Sequence, residues 1–262
     1  MITSLQNEQV KHVVALHKNK GRSESEEYLV EGKRFVKEAF SRQAQVKKIY
    51  YVTTGELTNL VEQAIFLGIP VQEVSEDVMR KMAATEEPQG ILAIIEKTYP
   101  GWENIITAKN TIILVLDNIQ DPGNLGTILR TALAADVRQI ILTSGTVDLY
   151  NPKVMRSSMG SIFSQKILTD KKPQEIVNFF RQNRYTLAIS SMEGNSIYSE
   201  LASTYYPLAL VIGNEAIGVS DYFVKQADIK YSIPMFNQVE SLNAAMAAGI
   251  FLYELRRQGE FL

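Results

Sequence analysis

The sequence predicts an α/β chain in two parts, a small mixed α/β lobe and a larger domain whose mainly parallel sheet is covered by helices on both faces. Three observations predict it. The 262 residues exceed one typical domain. From residue 111 onward, wholly apolar runs such as TIILVLDNI alternate with helical periods, the pattern of strands buried on both faces. Between the parts, residues 98–110 (TYPGWENIITAKN) carry Pro100, Gly101 and the only Trp and interrupt the periodicity. A linker is expected there, with one domain over 1–97 and the other over 111–262.

The elements follow in order. Val10, Val13, Val14 and His17 recur at helical spacing, YLVEG (28–32) is a strand, and Lys33–Arg42 is a charged amphipathic helix. VKKIYYVT (46–53) is β-branched and aromatic, Leu57–Leu67 is helical and stops at Gly68, and IPVQEVS (69–75) and QGILAIIEK (89–97) are strands. The larger domain reads as strand 111–119, helix Leu125–Ala134, strand 137–144, helices Pro152–Met159 and Pro173–Asn183, and strands 185–191 and 207–214. A short helix Tyr222–Gln226, the strand KYSIPM (230–235) and a long helix Ser241–Gln258 complete it.

A composition of 45% hydrophobic and 21% charged residues excludes disordered, collagenous and coiled-coil chains. The absence of Cys removes disulfide scaffolds, thiolate zinc sites and cysteine nucleophiles together. The N-terminus lacks the apolar core of a signal peptide, and no run approaches the roughly 20 apolar residues of a membrane span, so a cytoplasmic address and no membrane partner are expected. Net charge is −2, yet residues 1–48 hold 10 Lys+Arg against 6 Asp+Glu while residues 49–100 hold 3 against 8. The basic excess is either a solvated face or a local surface for a polyanion.

Three loops carry chemistry. The first, DNIQDPGNLGTILRTA (117–132), leaves an apolar strand, turns at Asp121, Pro122 and Gly123 and enters a helix holding Asn124, Gly126 and Arg130. Backbone amides and the helix dipole point outward at such a turn. It carries neither G-x-G-x-x-G nor a Lys-Ser/Thr pair, so dinucleotide and P-loop readings lose their defining residues. Arg130 can aim back to the mouth of that loop, or it can lie on a solvated helix face. The second loop, LVIGNEAIGVS (210–220), runs a strand into Gly213, Asn214 and Glu215 and closes at Gly218. The third, in IPMFNQVESLNAAMAAGIFLYE (233–254), spans Met235 to Ser241 and then opens a helix, for which Ser241 is the expected N-cap with Asn243 in the first turn.

Together, Asn124-x-Gly126-x-x-x-Arg130, Gly213-Asn-Glu215-x-x-Gly218, and Ile233-Pro-Met235 with Ser241-Leu-Asn243 resemble the three ordered motifs of the SpoU/TrmH family of RNA ribose 2′-O-methyltransferases, in the SPOUT superfamily. NPKVMRSSMGSIF (151–163) is similar to the segment between the first two motifs. EYLVEGKRFVKEA and EPQGILAII resemble the small substrate-binding domain that many members carry. Nearly the whole chain is covered.

The resemblance implies a SPOUT domain with a trefoil knot, S-adenosyl-L-methionine as cofactor, an RNA substrate with rRNA ahead of tRNA, and a homodimer. Carried over by position, Gly213, Asn214, Gly218, Ile233, Met235 and Leu242 bind the cofactor, chiefly through main chain. Arg130, Asn124, Glu215, Ser241 and Asn243 surround the reacting hydroxyl. Where the family usually has Gly two residues after Met, this chain has Asn237, which tolerates positive φ. A ribose hydroxyl is too weakly acidic to ionise near neutral pH, and both His residues, 12 and 17, lie in the first lobe, so no imidazole base serves the motifs. Guanidinium stays charged, so Arg130 is expected to pair with substrate phosphate and stabilise developing alkoxide, with Asn124, Ser241 and Asn243 orienting the hydroxyl. Glu215 either positions Arg130 or accepts the proton through water. No metal is required. The rival reading is a noncatalytic RNA-binding protein retaining the fold; a Rossmann nucleotide-binding enzyme is more remote because its fingerprint is missing.

Overall fold

The computed structural model describes residues 1–109, 111–199, 206–237 and 241–259. Packing divides it into two compact units, Met1–Thr98 with Tyr150–Phe163, and Tyr99–Leu149 with Ser164–Leu262. Residues 150–163 interrupt the second unit in the chain and pack in the first, where the rings of Tyr28 and Tyr150 lie 4.3 Å apart and those of Phe35 and Phe163 5.6 Å apart.

In the first unit β1 (Glu27–Glu31), β2 (Val46–Tyr51), β3 (Val71–Glu73) and β4 (Ile91–Glu96) form a sheet of order β1-β4-β2-β3. β4 runs antiparallel to both neighbours, and β2 and β3 are parallel. The helices are α1 (Glu8–Leu16), α2 (Asn19–Ser23), α3 (Lys33–Ser41), α4 (Thr58–Phe66) and α5 (Glu76–Met82). Val10, Val13 and Leu16 of α1 and Val78, Met79 and Met82 of α5 close over Tyr50, Leu92 and Ile94. The sequence reading omitted α2 and α5, each under two turns long. α5 is nevertheless well specified, with Ser75 as N-cap, acidic Glu76 and Asp77 at its start and basic Arg80 and Lys81 at its end. α7 (Pro152–Ser158) belongs to this unit.

The second unit contains β5 (Ile112–Leu116), α6 (Pro122–Ala134), β6 (Gln139–Thr143), β7 (Lys166–Lys171), α8 (Pro173–Gln182), β8 (Thr186–Ser196), β9 (Leu208–Ile212), α9 (Asp221–Gln226), β10 (Ile229–Ser232) and α10 (Ala244–Gln258). The six strands lie in the order β10-β8-β9-β5-β6-β7, and every pairing is parallel. All five residues of β5, β6 and β9 are buried, as a sheet covered on both faces requires. Ile113, Val115, Ile141 and Val211 pack with Phe180 and Phe223 on one face, whereas the alternate residues Leu114, Leu116, Ile140 and Leu210 are equally buried on the other. The chain moves outward through β5, α6 and β6 and crosses back through β7, α8 and β8, so right-handed connections place α6 and α8 on opposite faces. The sequence reading omitted β7, whose KILTDK pattern is polar at its ends.

Two helix starts differ from expectation. α6 begins at Pro122, three residues before Leu125, because Asp121 caps it and proline suits the first helical position. α10 begins at Ala244, three residues after Ser241, for a reason that belongs to the site. Among the described residues no helix is long and apolar enough to cross a membrane.

Candidate active site

Where strand order reverses, between β5 and β9, the loops after the two strands emerge side by side at the carboxyl edge, the usual ligand position in such sheets. A buried carboxylate joins them. Asp117, 3% exposed, accepts hydrogen bonds from Thr143 Oγ1 at 3.0 Å and from the Ser220 amide at 2.8 Å. Asn118 follows in left-handed geometry at φ 56°; its amide donates to Thr143 Oγ1 at 2.8 Å and its carbonyl accepts from Asn214 Nδ2 at 2.8 Å. Asp117 and Asn118 were missed as site-building residues. The available signal was a charged residue directly after the apolar run IILVL.

The second loop is a tight closure: the Asn214 amide donates to the Gly218 carbonyl at 3.0 Å, and the reverse bond is 2.9 Å. Asn214 Oδ1 accepts from the amides of Ala216 and Ile217, so this side chain is spent inside the protein. Gly213 is required by space, since a Cβ there would lie 2.2 Å from the Gly218 carbonyl carbon. Gly218 is required by conformation, at φ 74°. The closure leaves Glu215 exposed at its tip.

The third loop supplies the link between motifs. Asn243, not Ser241, is the N-cap of α10: its Oδ1 accepts from the amides of Ala245 at 3.0 Å and Met246 at 3.4 Å. Asn caps as well as Ser, and its Nδ2 offers donors in addition to the capping oxygen, which a hydroxyl at Ser241, two residues earlier, does not. That Nδ2 donates to Asn124 Oδ1 at 2.9 Å, and Asn124 Nδ2 in turn donates to Glu215 Oε1. One residue from each motif thereby joins a single directional chain. The helix cap fixes the amide orientation of Asn243, which fixes that of Asn124, which leaves Asn124 a donor toward the carboxylate.

Arg130 stands apart. It is six residues beyond Asn124 on α6, about 120° around the helix, and is exposed. It forms no hydrogen bond or ion pair among the described residues, so Glu215 is held by Asn124 and not by Arg130. Ser241 is exposed, Ile233 and Leu242 are half-buried, and Met235 is 38% exposed. Among the described residues the main-chain groups of Ile233, Met235 and Leu242 carry no backbone–backbone hydrogen bond. Asn237 is left-handed at φ 56°, the conformation that the family resemblance implies at this position.

Comparison with known proteins identifies the family. Residues 111–253 match the SpoU rRNA Methylase family, and residues 7–93 match the MRM3-like substrate binding domain. The chain is 33% identical over 255 residues to the 23S rRNA (guanosine(2553)-2′-O)-methyltransferase RlmP of Bacillus subtilis, covering 97% of this chain and 98% of that one. Its fold superposes on the AdoMet-bound rRNA methyltransferase from Sinorhizobium meliloti with a TM-score of 0.89 at 30% identity, over 98% of this chain and 97% of that one. For the SpoU methyltransferase AviRb from Streptomyces viridochromogenes the TM-score is 0.87 at 26% identity, over 97% and 98%. With three motifs joined by one hydrogen-bond chain at the edge of a parallel sheet, and with similarity along nearly its whole length, the chain belongs to the SpoU rRNA methylase family.

Proposed function

We propose that this protein is an S-adenosylmethionine-dependent methyltransferase that methylates a ribose 2′-hydroxyl of rRNA. The observation that carries the reading is the Asn243–Asn124–Glu215 chain, which sets a carboxylate among the three motifs. The loops fit the methyl donor: among the described residues the main-chain donors and acceptors at Ile233, Met235 and Leu242 are unengaged by other backbone, and the glycine at 213 keeps the Asn214–Gly218 turn compact. S-adenosylmethionine supplies an electrophilic methyl group on a sulfonium. Gly213, Asn214 and Gly218 shape the turn that faces it.

The residues of the chain divide the remaining work. Glu215 Oε1 is occupied by Asn124, and Oε2, without a partner among the described residues, is the acceptor for the ribose hydroxyl and its departing proton. Asn124 and Asn243 hold that carboxylate in place and so act through it. Ser241 lies next to the helix cap and orients the sugar. Arg130, unpaired and exposed, pairs with substrate phosphate and stabilises charge that develops on the oxygen.

The active form is a homodimer working in the cytoplasm. Ala244, Ala245 and Ala248 are buried within the chain and Gly249 abuts Thr131 of α6, so their smallness serves the packing of α10 on α6. The support is an apolar row on α10 made of Met246 (61% exposed), half-buried Ile250 and Tyr253 (54% exposed), the last two beside Ala134 of α6. Arg130 precedes Ala134 by one turn on that exposed side, so a second copy docked on this row would meet it.

The test is transfer of labelled methyl from S-adenosylmethionine to in vitro transcribed 23S rRNA, followed by mapping of the modified nucleotide. A single 2′-deoxy substitution there should abolish transfer and leave RNA binding largely intact. Continued transfer would mean base methylation and end the reading.

A further inference from the structure

We propose that Phe236 is a stacking platform for an RNA base splayed from its strand beside the reacting ribose. The inference rests on the functional reading above and adds a residue that contacts substrate. Phe236 is 77% exposed and lies on the loop between β10 and the α10 cap, one residue after Met235. Ile217, two residues after Glu215 on the second motif loop, is 73% exposed. Both large apolar side chains are exposed on loops that also carry members of the polar network, and exposed apolar groups at such loops mark binding surfaces.

The backbone holds this ring out. Pro234 fixes its own φ two residues before Phe236, and Asn237 reverses the chain at φ 56° immediately after it. The ring has no aromatic or cationic partner among the described residues. A restrained backbone presenting an unpartnered ring loses little freedom when a flat ligand covers it. The occupant follows from charge. Residues 213–218 and 233–243 contain no Lys or Arg, so these loops offer RNA hydrogen bonds and a π-face and no cation for phosphate. A ribose hydroxyl is reached most readily in an unstacked nucleotide, and aromatic side chains receive such bases in single-stranded RNA. Stacking of this kind is tolerant of sequence and nearly independent of salt, unlike phosphate contacts.

The experiment compares Phe236→Ala, Phe236→Leu and Phe236→Trp, the last with Trp102→Phe so that the introduced indole is the only one in the chain. The substrate is in vitro transcribed 23S rRNA. Phe236→Ala should raise KM for RNA roughly 10-fold or more, with S-adenosylmethionine affinity and the salt slope of RNA binding unchanged. Phe236→Leu, apolar but without a π-face, should be nearly as impaired, whereas Phe236→Trp should restore KM and show fluorescence quenched by RNA. Full activity of Phe236→Leu, or unquenched fluorescence in an active Phe236→Trp enzyme, would overturn the proposal. Loss of cofactor affinity in Phe236→Ala would assign the ring to the methyl donor, and a changed sedimentation coefficient would assign it to an interface between copies; either outcome also overturns it. If the unaltered protein transfers no methyl to RNA, the functional reading fails. If it does and the variants match it, only the stacking role fails.

Discussion

Asn243 donates from Nδ2 to Asn124 Oδ1 at 2.9 Å across 119 residues of sequence, while its own Oδ1 caps the helix it begins. The two ends of one amide thus do different work. Asn243→Asp separates them, because an Asp oxygen still caps α10 but the other oxygen repels Asn124 Oδ1. Asn124 should then turn its Nδ2 toward residue 243 and release Glu215. Turnover is expected to fall roughly 10- to 100-fold, the range for losing a hydrogen bond to a charged group, with thermal stability retained. Asn243→Ala should lose the cap as well, at about 1 kcal/mol. Single-turnover methylation and thermal unfolding measured on both variants separate the two functions, and wild-type turnover in Asn243→Asp would break the relay.

Arg130 has no partner to lose within the described chain, so Arg130→Ala should change stability by no more than about 0.5 kcal/mol. Turnover should drop about 100-fold or more if the guanidinium stabilises charge formed only during transfer. Arg130→Lys should recover little, because a point charge cannot replace the planar fork. Steady-state kinetics with calorimetric titration of S-adenosylmethionine checks this, with cofactor affinity expected to stay near that of the unaltered protein.

Gly213 is not in the left-handed region, so only space forbids a side chain. Gly213→Ala places a Cβ 2.2 Å from backbone that cannot yield cheaply. The Asn214–Gly218 closure must open, which should cost about 1–3 kcal/mol and carry Glu215 away from Asn124. Thermal unfolding should register the strain, and titration should register weaker cofactor binding. An unaltered affinity would show that the turn does not face the methyl donor.

Asn237 occupies φ 56°, where Gly is at ease and a β-branched residue is not. Asn237→Gly should therefore keep cofactor affinity and activity. Asn237→Val should lose affinity by about 1–3 kcal/mol if the bound loop keeps this turn. Calorimetry on both variants decides it, and equal affinity for Val and Asn would show that the bound loop is extended here.

The parallel sheet, the motif loops and most helices were legible in the sequence because each depends on local pattern: continuous apolar runs at β5, β6 and β9, helical period at α6 and α10, glycines at turns. The positive φ at Asn237 was legible for the same reason, a residue type matched to a local conformation. Short or polar-ended elements such as α5 and β7 were not, since their burial comes from neighbours and not from their own period. Tertiary structure alone decided the rest. Asn243 displaced Ser241 as cap because it satisfies α10 and Asn124 together, a preference invisible without both partners. Glu215 went to Asn124 because the closure of the second loop meets the first turn of α6, whereas Arg130 faces another side of that helix. The small residues of α10 went to α6 because a nearer helix claimed them first. Sequence specifies which groups can bond or turn; long-range packing selects among the partners that local chemistry leaves equivalent.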